Sequence, residues 1–149
     1  MNVTIRNRQR LLKVDVPLLK KISREALCLA GATEDNLTVV LVDDKQIAEL
    51  NERFHKMSGP TDILTFDYGP GTVTGELIVS VEHAVSQAKR FRTTPSRELV
   101  LYIIHGILHL HGHNDRTPRQ RARMRVAERR HLRCLATGFS LDAVALRRS

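Results

Sequence analysis

The chain has 149 residues, of which 42% are apolar and 27% charged, a globular composition that excludes a disordered, collagen-like or coiled-coil chain. A chain of this length buries about two thirds of its unfolded surface and needs no disulfide framework to fold. Its two cysteines, Cys28 and Cys134, read as free thiols of a reducing cytosol, and no leader-like or ~20-residue apolar run suggests secretion or membrane insertion. The formal charge of +8 is segregated: residues 1–24 carry +6, residues 25–67 carry −6, and residues 116–149 carry +8. Two basic ends attract a polyanion such as RNA or DNA, or else form solvated helix faces.

In chain order, Val3–Ile5 alternates as a short strand does, and Pro17–Leu29 has helical apolar spacing between Asp15 as start and Gly31 as stop. Leu37–Val42 is a β-branched run suited to a buried strand. Asp44 is the expected cap of a helix carrying Ile47, Leu50 and Phe54 on one side, broken by Ser58-Gly59-Pro60. Ile63–Phe66 reads as a strand, Gly69-Pro70-Gly71 as a turn and Leu77–Val81 as another strand. Glu82–Phe91 reads as a helix with Ala84, Val85, Ala88 and Phe91 inward. Thr94-Pro95 opens a helix that is apolar on almost every side, hence central and buried, and that stops at Gly112. Thr117-Pro118 opens an Arg-rich helix to about Ala136. The elements do not alternate strictly as βαβ. They predict an α+β fold in one domain spanning residues 1–149, with a small mixed sheet of about four strands and about five helices.

The informative segment is His105-Gly106-Ile107-Leu108-His109-Leu110-His111-Gly112-His113-Asn114-Asp115. His105 and His109 lie one helical turn apart, so both imidazoles leave one face and can meet one metal ion. Beyond Gly112 a third donor can return to them. Asp115 is the candidate, giving a His₂-carboxylate set suited to zinc with one position left for water, and His113 competes for that place. His111 is rotated away and reads as a non-ligand. A zinc peptidase carries a Glu base directly after its first His. Here that position is Gly106, which argues against a peptidase and permits close approach of another backbone or a bulky substrate. A zinc deaminase would need a C-x-x-C partner that the chain lacks.

The segment HGILHLHG with Asp115 resembles the H-G-x-L-H-L-x-G signature of the YbeY family of metal-dependent endoribonucleases, also called rRNA maturation factors. Leu50-Asn51-Glu52-Arg53-Phe54, then Pro60-Thr61-Asp62-Ile63-Leu64-Thr65-Phe66, resembles the family's L-N-x-x-Y-R and P-T-D-V-L-S-F stretch. Gly75-Glu76-Leu77-Ile78-Val79-Ser80, continuing to Gln87-Ala88, is similar to its G-D-I-x-I-S…Q-A segment, and Met124 and Glu128 fall where family members have them. The resemblance spans about residues 37–135. It implies a zincin-like central metal-binding helix, one Zn²⁺ per chain, and a cytoplasmic single-strand-specific endoribonuclease. Maturation of the 3′ end of small-subunit (16S) rRNA and ribosome quality control are the implied roles, with small-subunit proteins as partners. Two positions depart from the pattern. Asp115 stands where most members carry a third His, preceded by Asn114 in place of Asp, and His55 stands where they carry an Arg.

On this reading His105, His109 and Asp115 hold the metal. Arg53 or protonated His55 stabilises charge on the phosphoryl transition state, and Asp62 either braces its turn or joins the site. RNA phosphates lie on Arg119, Arg121, Arg123, Arg125, Arg129 and Arg130, with Arg6, Arg8 and Arg10 as a second patch. Aromatic residues are only 4% of the chain, so few base-stacking platforms are expected and several rings should be core. The competing reading is a ribosome-associated assembly factor with a structural zinc.

Overall fold

The computed structural model describes residues 1–55 and 63–148, and only the backbone of Phe54 and His55. Among these residues the strands are β1 (Asn2–Asn7), β2 (Leu12–Val14), β3 (Asn36–Val42), β4 (Ile63–Asp67), β5 (Gly75–Ser80) and β6 (Ala145–Arg147). The helices are α1 (Val16–Leu29), α2 (Asp44–His55), α3 (Val81–Phe91), α4 (Pro95–Leu110) and α5 (Pro118–Gly138), with a 3₁₀ turn at Leu141–Ala143. The fold is α+β. One sheet has the order β1-β3-β5-β4, with β1, β3 and β5 parallel and the edge strand β4 antiparallel to β5. The break for Ser58-Gly59-Pro60 and the turn role of Asp62 lie outside the described residues.

The two faces of the sheet are set by strand alternation. Val3, Leu37, Val39, Leu41, Leu77 and Val79 point to one side, where they join buried residues of α1, α3, α4 and α5 in one apolar cluster. Val40, Val42, Leu64 and Ile78 point to the other, where, among the described residues, Ile47, Leu50 and Phe66 accompany them. His105 and His109 belong to α4, on the first side, and Asp115 follows its end.

Local chemistry explains most boundaries. Asp15 caps α1 by accepting from the Leu18 N–H at 3.0 Å, and Thr94 caps α4 by accepting from the Arg97 N–H at 3.1 Å. The cap of α2 is Asp43, not Asp44: Asp43 Oδ1 accepts from the Gln46 N–H at 2.8 Å, and Gln46 Oε1 accepts from the Asp43 N–H at 3.0 Å. This reciprocal pair satisfies two otherwise orphaned donors. Asp44 instead accepts a hydrogen bond from the Ser80 hydroxyl at 2.6 Å, tying α2 to the start of α3. Phe91 is a second correction, because it is 60% exposed. The chain reverses at Arg92, with φ of 56°, so the last residue of α3 overhangs the core and stacks under the Arg90 guanidinium at 5.3 Å.

The start of α4 is fastened to the C-terminal segment. The buried Ser96 hydroxyl donates to the Leu141 carbonyl and accepts from the Val144 and Ala145 N–H groups at 2.9 and 3.1 Å. The neighbouring β2–β6 pair was not anticipated, being two three-residue strands far apart in the chain.

Inside α5, His131 is buried, and its Nδ1 has no hydrogen-bond partner. Burial holds its pKa below the usual 6.5, helped by the electrostatic influence of His113 and Arg130 nearby. Folding therefore favours neutral His131, so its contribution is full above about pH 6.5 and is lost as pH falls towards the lowered folded value. Urea unfolding at pH 7 and pH 5 should show a smaller acid loss of stability in His131→Phe than in the wild type; equal losses would contradict this.

Candidate metal centre

The end of α4 is built to present side chains. Gly112 has φ of +95°, the left-handed conformation that glycine adopts without strain. Its N–H donates to the His109 carbonyl at 3.2 Å and the His113 N–H to the Leu108 carbonyl at 3.0 Å, the paired bonds of a Schellman ending. Five residues later Thr117 and Gln120 form a capping box at the start of α5. Asp115 thus sits on a short loop tied at both ends. Arg121 adds a brace, donating to the Asp115 and Arg116 carbonyls at 3.3 and 3.1 Å.

This backbone brings His105, His109 and Asp115 together. His105 Nε2 and His109 Nε2 are 3.0 Å apart, His109 Nε2 and Asp115 Oδ2 are 3.2 Å apart, and His105 Nε2 and Asp115 Oδ2 are 3.7 Å apart. Donors around a tetrahedral zinc with ~2.0–2.1 Å bonds stand roughly 3.3–3.4 Å from one another. The triangle matches that edge, and its chemistry, two imidazoles and a carboxylate, fits a divalent cation. Among the described residues it is the one His/Cys/Asp/Glu group of this kind. His113 is not in it and lies instead beside Gly112, Gln120 and Arg123. His111 is also elsewhere: its Nδ1 donates to the Ile107 carbonyl at 2.8 Å and its Nε2 faces Asp35 Oδ2 at 3.1 Å.

The three donors open onto a cleft of about 460 Å³, whose other wall is β4 through Ile63, Thr65 and Asp67. Alternation along the strand places these three residues on the α4 side. Gly106 accounts for the closeness of helix and sheet. A Cβ there would come within 2.6 Å of Leu77 Cδ2 and 2.8 Å of Ile63 Cδ1. The glycine thus admits sheet side chains, rather than the foreign backbone or substrate expected from the sequence.

Glu128, whose place the sequence left unread, stands behind His105. Its Oε1 lies 3.6 Å from His105 Nδ1, and its side chain is only 13% exposed. A carboxylate behind a ligating imidazole fixes which nitrogen carries the proton and points the other at the metal. Glu128→Gln is expected to weaken metal retention about 10–100-fold with little change in folding. Competition against a zinc-binding dye would measure it, and wild-type affinity in the variant would remove Glu128 from the site.

The six arginines of α5 expected to hold RNA phosphates are all exposed, yet they do not share a face. At about 100° per residue, Arg121, Arg125 and Arg129 lie on one flank of the buried stripe of Met124, His131 and Leu135, while Arg119, Arg123 and Arg130 lie on the other. Glu128 and the Arg121 brace place the first flank next to the donors. Arg53 is exposed near the end of α2, and the side chain of His55 lies outside the described residues.

The fold and the donor triangle define an α+β protein with a helix-borne candidate metal site facing an edge strand. The family model described as Endoribonuclease YbeY matches residues 4–136, and the chain belongs to that family. Among its relatives, Endoribonuclease YbeY of Syntrophus aciditrophicus is 32% identical over 95% of this chain and 94% of its own length. The Endoribonuclease YbeY of Chlorobium phaeovibrioides is 35% identical, covering 82% of this chain and 83% of its own. The solution structure of TM1509 from Thermotoga maritima superposes with a TM-score of 0.67 at 25% identity, covering 91% of this chain and 89% of that one. No described helix is long and apolar enough to cross a membrane.

Proposed function

We propose that residues 1–149 form one domain that cleaves single-stranded RNA internally, with one Zn²⁺ held by His105, His109 and Asp115. The observation that carries this reading is the donor triangle, which lines a cleft of about 460 Å³. Kinship with proteins named endoribonucleases supports the substrate class. A cation bound there supplies Lewis acidity where charge develops on a phosphodiester.

The chain's own residues do the rest. Glu128 orients His105, and the Arg121 brace keeps Asp115 in place. Arg121, Arg125 and Arg129 bind phosphates beside the cleft, while Arg119, Arg123 and Arg130 extend the basic surface on the far flank of α5. Arg53, or His55 in the place of the family's Arg, stabilises the transition-state charge. The biological setting we propose is the cytoplasm, in maturation of the 3′ end of 16S rRNA and in ribosome quality control, with the small ribosomal subunit as partner. The free, exposed thiols Cys28 and Cys134 suit a reducing compartment.

The test is direct. Protein carrying one zinc per chain is incubated with end-labelled single-stranded and duplex RNA, with and without a chelator. Internal cleavage of the single strand, lost on chelation and restored by zinc, is expected. Intact RNA in the presence of metal-loaded protein would overturn the reading in favour of an assembly factor with a structural ion.

A further inference from the structure

The strand that walls the metal cleft has a second face. Ile63, Thr65 and Asp67 look into the cleft, so Leu64 and Phe66 look to the opposite side of the sheet. There, among the described residues, α2 covers only part of the surface. Beside it remains a groove of about 600 Å³, floored by Val40 and Ile78. That volume is in the range of small-molecule sites.

The two ends of the groove differ in chemistry. Arg6 and Arg8 line the β1 end, and among the described residues neither forms an ion pair. At the β4 end Phe66 and Tyr68 stack in parallel, with ring centroids 6.3 Å apart and planes 8° apart. Tyr68 is 53% exposed, and its hydroxyl donates to Glu76 Oε1 at 2.7 Å. That bond, with burial and the Glu76 charge, pushes the phenol up to about 12, so the ring is held in one place and stays neutral. Glu49 of α2 adds a carboxylate acceptor to the lining.

Cations for a phosphate, a fixed aromatic face for a base and an acceptor for an exocyclic amine form a nucleotide's complement. The alternation of β4 supplies the connection. Because β4 is the edge strand among the described residues, cleft and groove lie on the two faces of one β-strand. We propose that this groove binds an unpaired nucleotide of the same RNA strand, its base on Phe66 and Tyr68 and its phosphate on Arg6 and Arg8. The proposal rests on the reading of this chain as an RNA-cleaving enzyme.

Two measurements on the zinc-loaded full chain test it. Cytidine 5′-monophosphate titrated into ¹⁵N-labelled protein should give saturable shifts at Val40, Phe66, Tyr68 and Ile78. Those shifts should be lost in Tyr68→Ala and in Arg6→Glu/Arg8→Glu, whose exposed positions leave the rest of the spectrum unchanged. In cleavage assays, oligoribonucleotides long enough to round the edge should have a KM about tenfold below that of the shortest cleavable ones. The two variants should abolish that advantage, and Tyr68→Ala should do so while leaving kcat/KM for the shortest substrates intact. No shift in the groove, shifts confined to the cleft, or a length advantage that survives both variants would overturn the proposal. Groove shifts without any RNA cleavage would uphold the nucleotide site and sink the nuclease reading instead.

Discussion

The His109→Ala protein is expected to fold, to lose its stoichiometric metal and to leave RNA uncut above background. His109 is the hub of the donor triangle, 3.0 Å from His105 and 3.2 Å from Asp115. Its removal leaves two donors where a catalytic zinc takes three from the protein. The loss of metal affinity should exceed the 10–100-fold that losing an outer partner costs. Stability should change little, because the imidazole lies at the cleft wall with its side chain 26% exposed and leaves no closed cavity. Metal content per chain, the unfolding midpoint and single-turnover cleavage, measured on the same preparation, separate these effects. A variant that keeps its metal, or that cuts RNA at the wild-type rate without it, would refute the role given to His109.

At Gly106 the expected effect is on folding. Gly106→Ala gains helix propensity worth about 1 kcal/mol, but its methyl meets Leu77 Cδ2 at 2.6 Å and Ile63 Cδ1 at 2.8 Å. Overpacking of a filled core typically costs about 1–3 kcal/mol. The net should be destabilising, and the displacement of α4 from β4 should lower activity beyond the stability loss. Gly106→Glu restores the His-Glu-x-x-His pattern of a zinc peptidase in sequence, yet it drives a carboxylate into the same contact. It should fail to fold rather than acquire a peptidase base, since a buried unpaired charge adds several kcal/mol. Thermal unfolding of both variants checks the order. A Gly106→Ala protein as stable as the wild type would show that the helix can move away from the sheet at no cost.

The elements most legible in the sequence carried two independent local signals. The helices α4 and α5 each begin with a capping threonine followed by proline, and both start there. The buried strands β3 and β5 announced themselves as β-branched runs. The pair of β2 and β6 did not, because three residues are too few for a periodic pattern and the pairing joins Leu12 to Arg147. The cap of α2 was misplaced by one residue where two aspartates adjoin, although Gln46, three residues after Asp43, was the discriminating signal. Phe91 has the right helical phase for the core, but helical phase does not show where the core ends.

The site divides in the same way. His105 and His109 were readable because one helical turn fixes their geometry. Asp115 and His113 were left as competitors, because their positions depend on the turn after Gly112, a backbone matter. Glu128 comes from another helix, and only the packing of α5 against α4 brings it to His105. The division of the six arginines into two flanks was implicit in their spacing, but which flank faces the donors depends on that same packing.

Anomalous diffraction from crystals of the full chain, recorded on both sides of the zinc absorption edge, bears most directly on the donor triangle. The expected result is one peak per chain, about 2.0–2.1 Å from His105 Nε2, His109 Nε2 and a carboxylate oxygen of Asp115, with its fourth side open to the cleft. A cation enclosed by four protein ligands, one bound through His113 instead of Asp115, or none beside these side chains in protein purified without chelator would contradict it.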